Sequence, residues 1–405
     1  MRREREPATS TGVFTAGEYS ARVARVRELM AADEYDLDAL LVTSPENIYY
    51  LIGLTHQGYF AFTMLVLPRE GKPSLLTRRM EAYTIGQQAP DVDHLGYGDD
   101  EDAGDAAVQA MTGLGLSRGR VGVDRSSMFL PAGVWEQLEQ GLPGVHWEEI
   151  SRTASTSARF ETGLVDQVRL VKSDAELAYI RKAASISDRA VSAGMATAGV
   201  GINEMEVAAV IYREMILGGG EYPGFVPLVR SAEKVMEEHS TWRDRHLMPD
   251  DKLFMELSGS SARYHAPLTR MGYVARAEPG AEKAQTLAVQ AFEAAVAALR
   301  PGVETGSVYD AWQQTVDAGL GHDRLRRHHC GYSVGIGFPP SWVGSSTVLG
   351  IRPGGKVPVE SGMTFHLLSW ITDDDVGDYF VSDTVIVGEE RTEVVTTTPR
   401  RLVLT

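Results

Sequence analysis

Residues 173–193, SDAELAYIRKAASISDRAVSA, mark the point at which the chain changes its architecture. The apolar side chains of this stretch recur on one stripe at helical spacing: Leu177, Ile180, Ala184 and Val191. Ser173 followed three residues later by Glu176 fits a capping box, which begins a helix. The pattern therefore predicts a long amphipathic helix. We place a domain boundary just before it, so that the predicted domains are residues 1–165 and 166–405.

Upstream of this helix, short apolar runs alternate with turn signals. We predict an amphipathic helix over residues 17–32. Strands are predicted at Ala39–Thr43, Ala61–Leu67, Ser74–Thr77 and Val121–Val123. The acidic run Asp99–Asp102 is predicted to be a solvated loop. Alternation of helices with short strands indicates a smaller α/β N-terminal domain.

Downstream, helical patterns and long strand-like runs are mixed. Helices are predicted over residues 203–217 and 281–299, because glycine and proline signals follow both at residues 218–220 and 300–302. The strand-like runs are Leu253–Leu257, Tyr264–Val274, Thr364–Ile371 and Asp378–Val387. This half is therefore predicted to be an α+β domain.

Composition and charge exclude several classes of protein. The 405 residues carry 39 basic and 55 acidic side chains, a net charge of −16, which argues against nucleic-acid binding. The single cysteine, Cys330, rules out an internal disulfide framework and a cysteine-rich zinc site. No run of about 20 apolar residues predicts a membrane span, and Met1–Pro7 lacks the apolar stretch of a signal peptide. We expect a cytoplasmic protein without a membrane partner.

Two residue types in the second half are candidates for chemistry. Histidines titrate near neutral pH, and four of them lie in or beside the predicted strands: His239, His265, His329 and His366. Sequence position alone does not select among them. Glu256 interrupts the apolar run Leu253–Leu257, so it either points outward by strand alternation or is a covered carboxylate that needs partners or a raised pKa. The glycine-rich segment Gly331–Gly337 lacks the Lys-Ser/Thr ending of a phosphate loop, which argues against nucleotide binding.

Ordered landmarks over residues 165–390 resemble the pita-bread family, which includes methionine aminopeptidase, prolidase, aminopeptidase P and creatinase. The landmarks are Arg169-x-x-Lys172-Ser173-x-x-Glu176, Leu299-Arg-Pro-Gly302, Gly331-Tyr-Ser-Val-Gly-Ile-Gly337, Glu360-Ser-Gly-Met-Thr-Phe365 and Ser382-Asp-Thr-Val385. The first 160 residues resemble the creatinase/prolidase type of N-terminal domain, best at Ser44–Gly53. The resemblance implies an α+β pita-bread catalytic domain preceded by a smaller α/β domain.

The peptidases of this family hold two metal ions with two Asp, one His and two Glu. At the matching positions this chain has Glu256 on the strand of the first Asp, Pro267 for the second, Tyr332 for the His, and Leu368 and Ser382 for the two Glu. Proline and leucine have no side-chain donor atom, and one carboxylate with a phenol does not satisfy a divalent cation. We therefore expect no metal ion and no cofactor.

A metal-free branch of the family, that of ectoine hydrolase, is more similar. The shared segments are Gly220-Glu-Tyr-Pro223, His239-x-Thr-Trp242, Glu256 with Tyr264-His-x-Pro-Leu-x-Arg270, Gly331-Tyr-x-x-Gly335 and Met363-Thr-Phe-His366. The resemblance implies hydrolysis of a non-peptide C–N bond in a small cationic or zwitterionic substrate, such as the cyclic amidine ectoine. It also implies a homodimer in which the N-terminal domain of the partner completes the site.

The resemblance assigns roles to these residues. Glu256 is the candidate nucleophile, or the base that activates water, and His239 is the proton shuttle. The candidate substrate-binding residues are Tyr332, His265, His366, Tyr222 and Trp242. A structural role is equally compatible with His366.

Other side chains are expected to be structural, and other activities stay open. Tyr264, Trp242 and Trp370 are expected in the core or the pocket wall, Arg270 in a structural ion pair, and Cys330 is not expected to be a nucleophile. The alternatives to the predicted hydrolase are a creatinase-like amidinohydrolase, an Xaa-Pro peptidase-like metallohydrolase, a small-molecule lyase and a non-catalytic pita-bread binding protein.

Overall fold

The computed structural model describes residues 13–151, 162–344 and 348–405. The opening segment Met1–Pro7 lies outside the described residues. The chain divides into two compact units. Among the described residues, the N-terminal unit comprises 13–151, 162–169 and 344, and the C-terminal unit comprises 170–343 and 348–405.

The N-terminal unit contains a six-stranded mixed sheet in the order β4-β3-β2-β1-β5-β6. Its strands are β1 (Ala39–Val42), β2 (Met64–Pro68), β3 (Ser74–Arg78), β4 (Asp93–Tyr97), β5 (Arg118–Val123) and β6 (Gly144–Glu149). Its helices are α1 (Ala16–Met30), α2 (Pro45–Ile52), α3 (Ala82–Gln88), α4 (Ala103–Gly113), α5 (Ala132–Gly141) and α6 (Leu164–Leu170). The predicted α/β class is confirmed, and the acidic run Asp99–Asp102 is a loop in which Asp102 caps α4.

The C-terminal unit contains an antiparallel sheet in the order β10-β11-β12-β9-β8-β7. Its strands are β7 (Leu228–Ser231), β8 (Lys252–Ser261), β9 (Tyr264–Tyr273), β10 (Gly331–Ser333), β11 (Thr364–Ile371) and β12 (Tyr379–Val387), with β13 (Thr392–Val394) and β14 (Val403–Leu404) added beside β12 and β9. Its helices are α7 (Asp174–Thr197), α8 (Glu204–Leu217), α9 (Ala281–Ala298) and α10 (Thr305–Leu320). The predicted α+β class is confirmed.

Helix α7 begins where the sequence predicts. The Ser173 side chain accepts a hydrogen bond from the Glu176 backbone N–H, and the Glu176 carboxylate accepts one from the Ser173 N–H, which completes the capping box. One face of α7 packs so closely on the sheet that a Cβ on Gly259 would lie 2.4 Å from the Ala183 carbonyl oxygen. Glycine at this position therefore allows helix and sheet to meet.

The helices cover one face of the C-terminal sheet. Met255 and Leu257 of β8 belong to the core cluster shared with α7 and α8, and Phe365 and Leu367 of β11 belong to the cluster shared with α9 and α10. Because successive strand side chains alternate between faces, the residues between them point to the opposite side of the sheet. We call that side the open face, and it carries Glu256.

Candidate active site

A row of side chains crosses the open face at one level. Glu256 of β8 pairs with Thr269 of β9, Thr269 pairs with Ser382 of β12, and Ser382 pairs with Leu368 of β11. Residues directly opposite each other in neighbouring strands place their side chains on the same face. The strand register therefore brings together four positions that are far apart in the sequence.

Glu256 is a buried carboxyl group, only 6% exposed. Burial raises its pKa to about 7, the neighbouring Arg230 guanidinium opposes this rise, and the Glu238 carboxylate adds to it. Across residues 13–151, 162–344 and 348–405, no side chain forms an ion pair with Glu256. The sequence left its direction open, and the structure places it as a covered carboxylate on the open face.

An aromatic wall adjoins Glu256. It consists of Phe254, Trp370 and Phe380, whose ring centroids lie 5.2–5.9 Å apart. The Arg230 guanidinium carbon lies 3.9 Å from the centroid of Phe254, and that of Arg327 lies 4.6 Å from the centroid of Trp370. Two cations thus stack on the wall beside the carboxylate.

A chain of hydrogen bonds starts at the other end of the row. Trp342 Nε1 donates to the Tyr332 hydroxyl oxygen at 3.1 Å. His366 Nδ1 lies 2.8 Å from the same hydroxyl, and His366 Nε2 lies 2.6 Å from Ser382 Oγ. The indole N–H can only donate, and with the phenolic proton directed at Nδ1 the Nε2–H donates to Ser382. The Ser382 hydroxyl proton is thereby left to point onward in the row.

His366 is neutral in this arrangement. Complete burial lowers its pKa to about 3, and the neighbouring His329 lowers it further. Burial also raises the pKa of the Tyr332 phenol well above its ordinary value, and the Glu256 carboxylate contributes to the rise. Tyr332 and His366 therefore form a neutral hydrogen-bonded pair, with Tyr332 within the electrostatic reach of Glu256.

His239 lies at the tip of a short loop after β7. Its backbone adopts the left-handed conformation, with φ at 54°, and its side chain is exposed. The loop is tied to β7 on both sides, because Arg230 donates to the Glu237 carbonyl and Thr241 Oγ1 donates to the Pro227 carbonyl. These ties hold the tip in place without covering it.

Aromatic contacts connect His239 to the hydrogen-bond chain. The His239 ring is stacked on Phe225 at 6.0 Å, and Phe225 meets Trp342 edge-on at 4.7 Å. Trp342 in turn donates a hydrogen bond to the Tyr332 hydroxyl. His239 and Glu256 therefore border the same region of the open face, with no direct hydrogen bond between them among the described residues.

His265 is fully engaged by the backbone. Its Nδ1 lies 2.9 Å from the Arg263 carbonyl oxygen and its Nε2 accepts the Gly224 N–H at 2.9 Å, while burial holds its pKa well below its ordinary value. Neither ring nitrogen is left for a substrate. His265 instead positions the segment that carries Phe225, next to His239.

The two remaining predicted substrate-binding residues, Tyr222 and Trp242, lie in different surroundings. Tyr222 stacks on the buried Arg263 guanidinium at 4.1 Å, and its hydroxyl is buried without a partner in the described part of the chain. Trp242 packs edge-on against Tyr212 of α8 at 5.9 Å and joins the helix-side core. Trp242 therefore does not lie with Glu256, because the chain turns toward the helices within three residues of His239.

The side chains expected in the core, in the pocket wall or in an ion pair make contacts of these kinds. The Tyr264 hydroxyl donates to Glu176 at 2.6 Å, Arg270 pairs with Asp383 at 2.8 Å, and Trp370 lines the aromatic wall. Cys330 is buried, and burial raises the pKa of its thiol far above the ordinary value. A thiol that stays protonated is a poor nucleophile.

The donor set does not fit a two-metal centre. Pro267, two residues before Thr269 on β9, and Leu368 and Ser382 of the row occupy the matched positions. The phenol of Tyr332 and the hydroxyl of Ser382 are both hydrogen-bonded to His366. Outside the undescribed segments, no three His, Cys, Asp or Glu side chains are grouped as metal ligands would be. Hard divalent cations need several oxygen or imidazole ligands, which these side chains do not supply.

Sequence reasoning missed the two arginines of the site. Arg230 and Arg327 each look like an ordinary surface cation when taken singly. The one available signal was that Arg230 directly follows a short apolar run, Val226–Val229. That run is too short and too interrupted by Pro227 to be recognised as the edge strand it enters.

Comparison with known proteins agrees with this architecture. The profile of metallopeptidase family M24 matches residues 178–389, and that of the creatinase/prolidase N-terminal domain matches residues 22–171. In the described parts of the chain, no helix combines the length and the apolar character needed to cross a bilayer.

Individual relatives are similar over almost their whole length. An uncharacterized hydrolase/peptidase of Sinorhizobium fredii is 28% identical, over 96% of this chain and 98% of the relative. The ectoine hydrolase of Halomonas elongata is 27% identical, again over 96% of this chain and 98% of the relative. The crystal structure of dipeptidase PepE from Mycobacterium ulcerans superposes with a TM-score of 0.78 at 25% identity, covering 96% of this chain and 99% of the dipeptidase.

Proposed function

The chain belongs to metallopeptidase family M24, and we propose that it is a hydrolase that cleaves a non-peptide C–N bond without a metal ion. The proposed substrate is small and zwitterionic, and a cyclic amidine such as ectoine is the specific candidate. Similarity to the Halomonas elongata ectoine hydrolase over 96% of the chain supports this choice.

One observation carries the proposal. Where a metallopeptidase needs several carboxylate and imidazole ligands, the open face presents, in the described part of the chain, one buried carboxyl group, Glu256, while Pro267 and Leu368 offer no donor atom. A carboxyl group with a pKa of about 7 is close to ionisation at neutral pH, and an amidinium beside it favours the carboxylate. The Glu256 carboxylate on the open face is therefore suited to a cationic carbon centre.

The proposed reaction uses the Glu256 carboxylate as a nucleophile. One carboxylate oxygen bonds to the electron-poor amidinium carbon, and the ring C–N bond breaks once its nitrogen has received a proton. The carbon then remains bonded to Glu256 and to the second nitrogen. Attack by one water molecule releases an amide and returns the carboxylate, so that the net reaction adds one water to the amidine.

His239 is the proposed carrier of the proton. Its exposed position lets it exchange protons with water, while its contact with Phe225 keeps it at the edge of the pocket. An imidazole can deliver a proton to the departing nitrogen and take one from the attacking water. The hydrogen bonds of Arg230 to the Glu237 carbonyl and of Thr241 to the Pro227 carbonyl fix the loop that carries this imidazole.

The test is hydrolysis of ectoine by the purified protein, measured by mass spectrometry as the gain of one water. Glu256→Gln should lower turnover by at least about a thousandfold, because the amide is not a nucleophile. His239→Gln should lower it by roughly 10²–10⁴-fold. His246→Gln, on an exposed histidine of the same loop region, is the matched control and should leave turnover unchanged.

Metal independence is tested in the same assay. Turnover should survive extended treatment with EDTA, and added manganese or cobalt should not raise it. Loss of activity on chelation with recovery on adding either metal would overturn the proposal. Unchanged turnover in Glu256→Gln would remove the nucleophile, and cleavage of an Xaa-Pro dipeptide in preference to ectoine would point to a peptidase.

A further inference from the structure

We propose that Arg230 and Arg327 form a carboxylate-binding subsite beside Glu256, so that the substrate is an amidine that carries its own acid group. The inference rests on the proposed function for the location of the pocket. The subsite would bind the acid group of the substrate, which the reacting carboxyl group of Glu256 cannot recognise.

Arg230 is one half of the subsite. It lies in β7 opposite Phe254, only 2% of it is exposed, and its Nη1 donates to the Glu237 carbonyl. Its Nε is also buried, and it finds no acceptor among residues 13–151, 162–344 and 348–405. A buried N–H on a charged group costs free energy unless an acceptor reaches it, and this one is supplied by no described residue.

Arg327 is the other half. It precedes β10, stacks on Trp370 of the aromatic wall, and also has a buried Nε to which no described side chain or carbonyl gives an acceptor. Within the same described residues, neither guanidinium forms an ion pair. Both arginines have a buried Nε–H that lacks an acceptor among the described residues, and both lie against the same aromatic wall. This arrangement points to one anionic ligand that both arginines bind.

Nearby donors extend the same pattern. The Trp370 Nε1–H and the His329 Nδ1 are both buried and, as far as the described chain goes, have no partner. His329 meets Tyr332 edge-on at 5.7 Å, and Trp370 belongs to the aromatic wall. Guanidinium and indole N–H groups are all donors, so the group that would satisfy them is an acceptor with several lone pairs.

The charges of the pocket are complementary to a zwitterion. Glu256 faces the cationic carbon, and the two guanidinium groups balance an anion at the other end of a small molecule. Both arginines lie close enough to Glu256 to stabilise its ionised form, and Glu238 at the pocket edge acts on both arginines.

The first experiment uses two probes that need no turnover, benzoate and benzamide, which share a shape and differ in charge. Binding is followed by ligand-observed NMR at about pH 6, where Glu256 is largely protonated and benzoate is ionised. We expect the protein to bind benzoate at least about tenfold more tightly than benzamide. Arg327→Gln should abolish this preference, while Arg324→Gln, at an exposed arginine three residues earlier, should keep it.

Further variants separate recognition from folding. Arg327→Lys keeps the charge but loses the planar fork, so it should retain part of the preference for benzoate. Arg230→Gln should lower the preference as Arg327→Gln does. Equal binding of the two probes to the unmodified protein would overturn the subsite. A preference that persists in both glutamine variants, or benzoate and benzamide affinities that fall together in Arg327→Gln, would do so too.

The two proposals can fail separately. Preference for benzoate with no hydrolysis of ectoine would keep the anion subsite and reject the substrate. Hydrolysis of ectoine with a KM unchanged in Arg327→Gln would keep the reaction and reject the subsite. When both proposals hold, Arg327→Gln should raise the KM for ectoine roughly 10–100-fold and change kcat much less.

Discussion

Two buried charge clusters lie on opposite faces of the C-terminal sheet. On the helix-backed face, Arg270 of β9 pairs with Asp383 of β12 at 2.8 Å, and Arg400 pairs with the second oxygen of Asp383 at 2.5 Å. Thr396 also donates to Asp383, and the other Arg270 N–H groups reach backbone carbonyls. This cluster is complete without a ligand.

The cluster on the open face differs in its unmet donors. Glu256, Arg230 and Arg327 influence one another through space, yet the described residues leave both guanidinium Nε atoms without acceptors. Strand alternation sets the face of each cluster, since Arg270 and Asp383 directly follow Thr269 and Ser382, which lie on the open face in the row with Glu256. The comparison suggests that a fully paired buried charge is structural, while one that keeps free donors is prepared for a ligand.

The largest effect is expected where the paired cluster is broken. Asp383→Asn should lower the free energy of unfolding by about 3–5 kcal/mol, because Arg270 and Arg400 lose their buried counter-ion. The exposed Arg181–Glu393 pair provides the control, and Glu393→Gln should cost less than about 1 kcal/mol. Urea unfolding followed by circular dichroism measures both.

The same variant tests the division between the two clusters. Asp383→Asn protein that remains folded should keep the preference for benzoate over benzamide, because its defect lies on the other face. Stability equal to that of Glu393→Gln would show that the paired cluster is not structural in the sense argued above.

The contribution of the open-face cluster to the free energy of unfolding should fall as pH rises, whereas that of a carboxylate in a stabilising ion pair rises. The pKa of Glu256 is about 7 in the folded protein and near 4.5 in the unfolded chain. Between these values the unfolded chain has lost the proton that the folded protein keeps, so stability falls as pH rises, by about 3 kcal/mol in total. The Glu256→Gln variant does not lose this stability, because glutamine does not titrate. Its stability relative to the unmodified protein should therefore rise by about that amount from pH 4.5 to pH 8.

Urea unfolding at a series of pH values supplies the measurement. Taking the difference between variant and unmodified protein removes the contributions of all other titrating groups. A difference that does not change with pH would mean that Glu256 titrates normally and is not the covered carboxylate of the pocket.

Much of the fold could be predicted because its signals are local. The capping box at Ser173 and the periodicity after it place α7, and the long apolar runs place β8, β9, β11 and β12. Helix α10 is not predicted from the sequence, because Arg300-Pro-Gly302 signals the end of one helix without indicating that another begins directly after it. Short α2, with its proline at the first turn, was missed too.

The site was less predictable because it depends on register and on direction. Glu256 was equally compatible with either face until the pairing of β8 with β9 was known. Trp242 shares a motif with His239 but lies on the other side of the sheet edge, since the loop reverses between them. Arg230 and Arg327 contact the same aromatic wall from segments almost a hundred positions apart, and no local sequence pattern indicates such a contact.

The smallest expected effect concerns the hydrogen-bond chain that ends the row. Tyr332→Phe removes both the acceptor of Trp342 Nε1 and the donor to His366 Nδ1, and it should lower the free energy of unfolding by about 1–3 kcal/mol. Tyr83→Phe, at a tyrosine that is 77% exposed, should have no measurable effect. In a double-mutant cycle, Tyr332→Phe and Trp342→Phe should couple by at least about 0.5 kcal/mol. Additive effects would mean that the indole does not orient the phenolic proton, and the direction assigned to the chain through His366 to Ser382 would then be lost.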